Sequence, residues 1–283
     1  MGAAAERKER QGGETRHFLV GLARGLAGAL LFALPMLMTM EMWFLGLYID
    51  RARLFLLCLV ALPLLVALAR RIGFERTTCW SAAIRDALIA YALGILLGAA
   101  ALSLLGILDD QRTMDTVMAK IALQSIPAGI GALLGRSQLG TQQQDERDEE
   151  EGESGYGHEL FMMMTGALFL SLNMAPTDEM VVIGHKITPV HTLLLALVSV
   201  ALMHAFVYAL QFRGSHSPEE GQPWWGSFLR FTLPGYVLAL AVSLYALWTI
   251  GRLDGLSPSG IVTATVVLGV PAAIGAASAR LVL

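Results

Sequence analysis

Two glutamates recur in one local setting. Residues 36–42 and 174–180 both read Met-x-x-Thr-x-Glu-Met, which places Glu41 and Glu179 two residues after Thr39 and Thr177. Both lie in apolar stretches. A carboxylate at the centre of a membrane helix costs about 2.5–3.5 kcal/mol on insertion scales, so it is protonated, paired, facing water or bound to a cation. Two matched carboxylates facing one cleft would suit monovalent or divalent cations, or proton exchange. Asp178 stands where the first motif has Met40, so the second motif is the more acidic. Pro35, Asn173 and Pro176 lie just before the carboxylates. A proline inside a helix frees a backbone carbonyl, and unwound segments of this kind supply ion ligands in transporters, with Thr39 and Thr177 adding hydroxyls. The competing reading is structural: each Glu hydrogen-bonds a neighbouring helix or snorkels outward, and the prolines are simple kinks.

Other polar residues offer weaker chemistry. Arg85 and Arg230 follow Trp80 and Trp225 by five residues, and could line a cytoplasmic vestibule, bind an anionic headgroup, or anchor at the interface. Lys120, Gln124 and Ser125 form a polar stripe that faces the cleft or ends in a snorkelling lysine. His185, His191 and His204 are not at i, i+4 spacing, so no metal site is expected, and His204 reads best as a packing histidine. Cys58 and Cys79 make no CxxC and are expected to be free thiols. Gly131 with Gly135, and Gly275 with Ala279, are small-xxx-small pairs that permit close helix contact. No P-loop, GxGxxG, GxSxG or HExxH occurs. The expectation is a non-enzyme without cofactors, and a net charge of −3 argues against a nucleic-acid partner.

These residues must be carried by membrane-spanning helices. Apolar residues make up 55% of the chain and charged residues only 15%, where a soluble domain carries about 25%. Stretches such as Phe231–Ile250 hold no charge at all, and about 20 apolar residues span the hydrocarbon core as a helix. Eight spans are expected, near residues 20–48, 53–69, 83–108, 117–135, 158–184, 191–211, 228–250 and 259–281. The fourth is interrupted by its polar stripe and Pro127, with a re-entrant hairpin as the alternative. With both termini cytoplasmic, fourteen of the 20 Lys and Arg residues fall on the inner side, as the positive-inside rule requires.

The chain also matches itself. Displaced by 138 residues, Gly28–Gly46 and Gly166–Gly184 are identical at nine of nineteen positions without a gap. At 145, Trp80/Trp225, Arg85/Arg230, Tyr91/Tyr236, Gly106/Gly251 and Asp109/Asp254 coincide. At 144, Pro127/Pro271, Gly131/Gly275 and Arg136/Arg280 coincide. The expected fold is therefore an all-α polytopic bundle of eight transmembrane helices in two four-helix repeats. An even number of spans per repeat makes the repeats parallel. The expected divisions are a disordered cytoplasmic tail over 1–17, repeats over 18–136 and 158–283, and an acidic cytoplasmic linker over 137–157.

The segment Leu34–Gly46, the stretch Arg51–Ala69 and the two-half layout resemble a bacterial family of integral membrane proteins of unknown function. Met36, Thr39, Glu41 and Trp43 are the most specific part of that resemblance. It implies a multi-pass protein of the bacterial inner membrane and assigns no activity or site. The residues themselves point to a transporter or channel for a small cation or protons, with Glu41, Glu179, Thr39, Thr177 and Asp178 as its candidate ligands. The alternative is a non-transporting scaffold or sensor that binds lipid or a protein partner. Membrane lipid is an expected partner in either case, and self-association is left open.

Overall fold

The computed structural model describes residues 2–72, 79–108, 113–138, 156–209 and 224–282, and among these the regular structure is all helical. In chain order the helices are α1 (Gly2–Leu37), α2 (Met40–Tyr48), α3 (Arg51–Ile72), α4 (Trp80–Leu104), α5 (Met114–Gln138), α6 (Tyr156–Met174), α7 (Asp178–Lys186), α8 (Pro189–Ala209), α9 (Trp224–Ser227), a π-helical turn (Phe228–Thr232), α10 (Leu233–Thr249) and α11 (Pro258–Val282). Seven helices are long and apolar enough to cross a membrane. An eighth span results if α6 and α7, bent by 91° at their junction, are counted together.

Two expectations are revised. The first and fifth spans are not continuous helices. The first ends at Leu37 and restarts at Met40 after an extended Thr39 (φ −95°, ψ 114°). The fifth ends at Met174 and restarts at Asp178 after an extended Thr177 (φ −68°, ψ 143°). Pro176 has no N–H to continue the helical ladder and biases Ala175 away from helical geometry, which accounts for the second break. Residues 2–17, expected as a tail, are helical backbone in α1, consistent with a run rich in Ala, Glu, Lys, Arg and Gln. The fourth span is a helix as expected, and not the alternative hairpin: α5 is one helix of 25 residues. The expected linker lies mostly outside the described residues.

The chain forms two compact units, Met1–Met38 with Phe55–Gln142, and Thr39–Leu54 with Gln143–Leu283. Helix α2, which belongs to the first half by sequence, is thus part of the second unit.

In the first unit α5 is central, with 78% of its span buried against 17–44% for the other spanning helices. It packs on α1 and α4 through glycines. A Cβ on Gly28 would land on the Gly131 carbonyl and the Gly135 Cα, and one on Gly94 would lie 2.5 Å from the Ser125 carbonyl. Its polar stripe is buried and bonded. Lys120 Nζ donates to the Ile107 carbonyl (3.1 Å), Gln124 Nε2 to the Met36 carbonyl (3.3 Å) and Ser125 Oγ to the Ala122 carbonyl (2.7 Å). A polar stripe of this kind interrupts the hydropathy signal without interrupting the helix, because its donors are satisfied inside protein.

In the second unit α11 packs on α6, α8 and α10, around a cluster that includes Met163, Met203, Tyr236 and four alanines of α11. A Cβ on Gly166 would meet the Gly275 carbonyl and the Ala279 methyl. Element ends recur at the sequence displacements: α7 begins and ends 138 residues after α2, and α11 begins and ends 144 after α5. Helices α4 and α10 stop alike. Gly106 (φ 68°) and Gly251 (φ 79°) take the left-handed conformation that glycine adopts without strain. Around them Ile107 N–H bonds Leu102 O and Arg252 N–H bonds Leu247 O, closing both helices by the 6→1 hydrogen bond of a Schellman motif.

The glycine contacts generate a prediction. Gly28→Val and Gly166→Val push a side chain into backbone rather than into a movable side chain, and overpacking of this kind costs about 1–3 kcal/mol. Each is expected to lower the thermal unfolding midpoint in detergent. Gly184→Ala, at a helical position with nothing within 4 Å of the new Cβ, is expected to leave it unchanged or raise it.

Candidate functional site

The two helix breaks position the acidic motifs. Glu41 lies in the first turn of α2 and is partly buried; Asp178 and Glu179 lie in the first turn of α7 and are exposed. Negative charge is favoured at the positive end of a helix dipole, so the local fold itself gives these acids a reason to be there. Depths reckoned along a straight helix do not apply past Leu37 or Met174, because the chain leaves the helix at both points.

Thr39 and Thr177 occupy the N-cap positions of α2 and α7, yet neither side chain bonds a first-turn N–H. The Thr177 hydroxyl instead donates backwards to the Met174 carbonyl (2.9 Å), closing the end of α6. The equivalent carbonyl 138 residues earlier, Met36 O, receives Gln124 from α5. Side chains thus bond carbonyls at both broken helix ends, Gln124 at Met36 and Thr177 at Met174.

Among the described residues no hydrogen bond or ion pair holds the Glu41 or Glu179 carboxylate. Asp178 is held: Arg252 Nη2 lies 3.0 Å from its Oδ1 and also donates to the Pro176 carbonyl, so one guanidinium bridges the α6–α7 break. Arg252 is mostly buried. A second clamp stands nearby in sequence. Arg53 makes a two-pronged bond to Asp254 (2.9 and 3.0 Å), donates to the Trp248 carbonyl (2.9 Å) and sits 5.0 Å from the centre of the Trp248 ring. Its own N–H is accepted by Asp50 Oδ1 at the start of α3. Arg51 donates to the Gly46 carbonyl near the end of α2 (3.2 Å). These bonds tie the α2–α3 corner to the α10–α11 loop and place residues 39–54 in the second unit.

Arg85 and Arg230, equivalent by sequence displacement, differ in their surroundings. Arg85 Nε lies 3.4 Å from Oδ1 of Asp86, a carboxylate that is 1% exposed. Arg230 lies over the rings of Tyr156 (5.6 Å) and Phe231 (5.5 Å). The histidines have local partners: His185 donates to the Val181 carbonyl, His191 Nδ1 meets Thr188 Oγ1, and His204 Nδ1 meets Thr232 Oγ1 at 2.9 Å. Among the described residues no three His, Cys, Asp or Glu side chains are grouped to hold a metal. Cys58 and Cys79 are free.

Arg53, Asp86 and Arg252 were not singled out by sequence reasoning. Asp254 was visible as one member of the Asp109/Asp254 match. Asp86 carried a signal of its own, an acid at the fourth residue of an expected span, but it was masked by the neighbouring arginine.

Long apolar helices, glycine-mediated helix contacts and side-chain caps on helix ends define a polytopic α-helical membrane protein. The chain belongs to the family described as "Putative integral membrane protein (DUF2391)", whose model matches residues 21–283. No curated protein and no solved structure matches it.

The two arginine clamps predict different costs. Arg252→Ala removes charge-assisted bonds from a mostly buried guanidinium, including the bond to a backbone carbonyl at a break, and is expected to destabilise by about 1.5–3 kcal/mol. Asp254→Asn weakens a pair whose carboxylate is 59% exposed, which is screened by water and expected to cost below about 1 kcal/mol. Thermal unfolding of both variants in the same detergent checks the order.

Proposed function

We propose that the protein is a transporter or channel for a small cation or protons, and that Glu41 and Glu179 serve it as coordinating or proton-carrying groups. One observation carries this reading. In each sequence half an apolar helix stops, passes through one extended threonine, and restarts with an acid in its first turn. Broken helices in membrane proteins leave backbone carbonyls and helix termini near the substrate path, and their irregular backbone is tolerated where it is buried in protein or lines water. Pro35 and Pro176 withhold the N–H groups that would bond the Leu31 and Leu172 carbonyls, which leaves an acceptor ahead of each break. Thr39 and Asp178 complete the proposed ligand set, with Arg252 holding Asp178 in place.

The matching element ends support an origin by duplication of a four-helix unit, with the two copies parallel. Eight spans with both termini cytoplasmic are the topology that the distribution of lysine and arginine favours, and a bacterial inner-membrane location is what the family resemblance implies. Arg85 and Arg230 belong to the cytoplasmic face in this reading. No enzymatic role is proposed.

A second reading, a scaffold or sensor that does not transport, is favoured by two facts: Asp178 is already ion-paired, and Glu179 is exposed. Flux separates the two. Proteoliposomes containing the protein are expected to pass a small monovalent cation or protons, and Glu41→Gln with Glu179→Gln is expected to reduce flux more than tenfold while the protein remains folded. Unchanged flux in the double variant removes the mechanism, and no flux of any cation by the parent protein favours the scaffold.

A further inference from the structure

We propose that Arg230 forms a binding site for the headgroup of an anionic phospholipid, with an acyl chain lying along α10. This inference stands independently of the transport reading.

The guanidinium of Arg230 rests over two aromatic rings that touch each other, Tyr156 and Phe231, whose centroids are 5.7 Å apart. A guanidinium held by aromatic rings rather than by an acid keeps N–H donors for a phosphate, which it can grip in two-pronged fashion. Arg230 is exposed, and among the described residues no carboxylate pairs with it. The contrast with Arg85 is informative. Displaced by 145 residues, Asp86 is replaced by Phe231. The first half spends its arginine on an internal acid, whereas the second exchanges that acid for a ring and leaves the cation facing out.

The surface continues from the cation as lipid would require. Leu233, Val237, Ala241, Leu244 and Trp248 follow Arg230 at intervals of three and four residues, and every one of them is exposed. They form a single outward stripe along the span Phe228–Thr249. Eighteen residues separate Arg230 from Trp248, about 27 Å of helix, close to the thickness of the hydrocarbon core. Arg230 thus stands at headgroup level, with an apolar track leading inward from it. The site commits to a phospholipid because a soluble anion would have no use for that track. The π-helical turn Phe228–Thr232 carries the arginine, and such turns often mark functional positions.

The experiment uses the purified full-length protein in detergent, titrated with phosphatidylglycerol or phosphatidylcholine of the same acyl chains, and counts retained lipid by native mass spectrometry. Phosphatidylglycerol is expected to be retained about fivefold better, the effect of one basic residue near an anionic headgroup. Arg230→Ala is expected to abolish the preference, Arg230→Lys to keep part of it, and Arg85→Ala to leave it intact. Tyr156→Leu, which keeps the charge and removes a ring, is expected to weaken it, and this variant gives the same reading if Arg230→Ala fails to fold. A preference that survives in both Arg230→Ala and Tyr156→Leu overturns the proposal. So does complete displacement of phosphatidylglycerol by inorganic phosphate, which would make the site one for a free anion, or an absence of any headgroup preference in the parent protein, which would leave Arg230 available to an acidic protein partner.

Discussion

A backbone carbonyl that loses its helical partner must find another donor when water is excluded. This constraint governs the polar residues of the chain more than any catalytic demand does. The carbonyl of Met36 at the end of α1 takes Gln124, and that of Met174 at the end of α6 takes Thr177. The carbonyls of Gly46, Ile107, Pro176 and Trp248 take Arg51, Lys120, Arg252 and Arg53. Cations also complement the negative end of a helix dipole, so a lysine or arginine at such a position answers two needs. This accounts for a pattern in the charge distribution. Six cations fall on the expected outer side, against the positive-inside bias, and four of them are Arg51, Arg53, Lys120 and Arg252. Each of the four closes a helix end or a break.

The sequence was most informative about helices whose outward and inward faces are both apolar. The third, sixth, seventh and eighth expected spans sit within a few residues of the observed helices. It was least informative at the breaks. Hydropathy averages over a window, and the chain on either side of Thr39 and Thr177 is equally apolar, so one long span and two shorter helices look alike. Pro35, Asn173 and Pro176 signalled irregularity without locating it. For α5 the expected span holds: Lys120, Gln124 and Ser125 lower the hydropathy, yet each has a carbonyl within reach. The acidic motifs were legible as residues. What could not be read is that they open short helices, because that depends on where the preceding helix stops.

Glycine contacts correspond between the two sequence halves. Gly28 meets Gly131 and Gly135, while Gly166 meets Gly275 and Ala279, at the same displacements that align the sequences. Without a hydrophobic driving force between helices in lipid, close backbone approach is a main source of association, so these contacts tolerate little change. The polar positions around them differ. Position 124 is a buried glutamine that caps α1, whereas 144 residues later stands Leu268, and Thr177 caps α6 from its own strand of chain. Asp86, a buried acid, gives way to Phe231.

That pattern bears on how the acidic motifs should be weighed. The carbonyls at the two breaks take different donors, Gln124 at Met36 and Thr177 at Met174, whereas the ends of α4 and α10 close on matching glycines. Thr-x-Glu, by contrast, is the same at both breaks, although neither threonine caps the helix that follows it and neither glutamate has a bonding partner among the described residues. An acid in the first turn gains only about 0.3–1 kcal/mol from the helix dipole, and aspartate at the preceding position, as in Asp178, supplies that as well. The dipole therefore accounts for an acid near each restart but not for a glutamate at the same position in both.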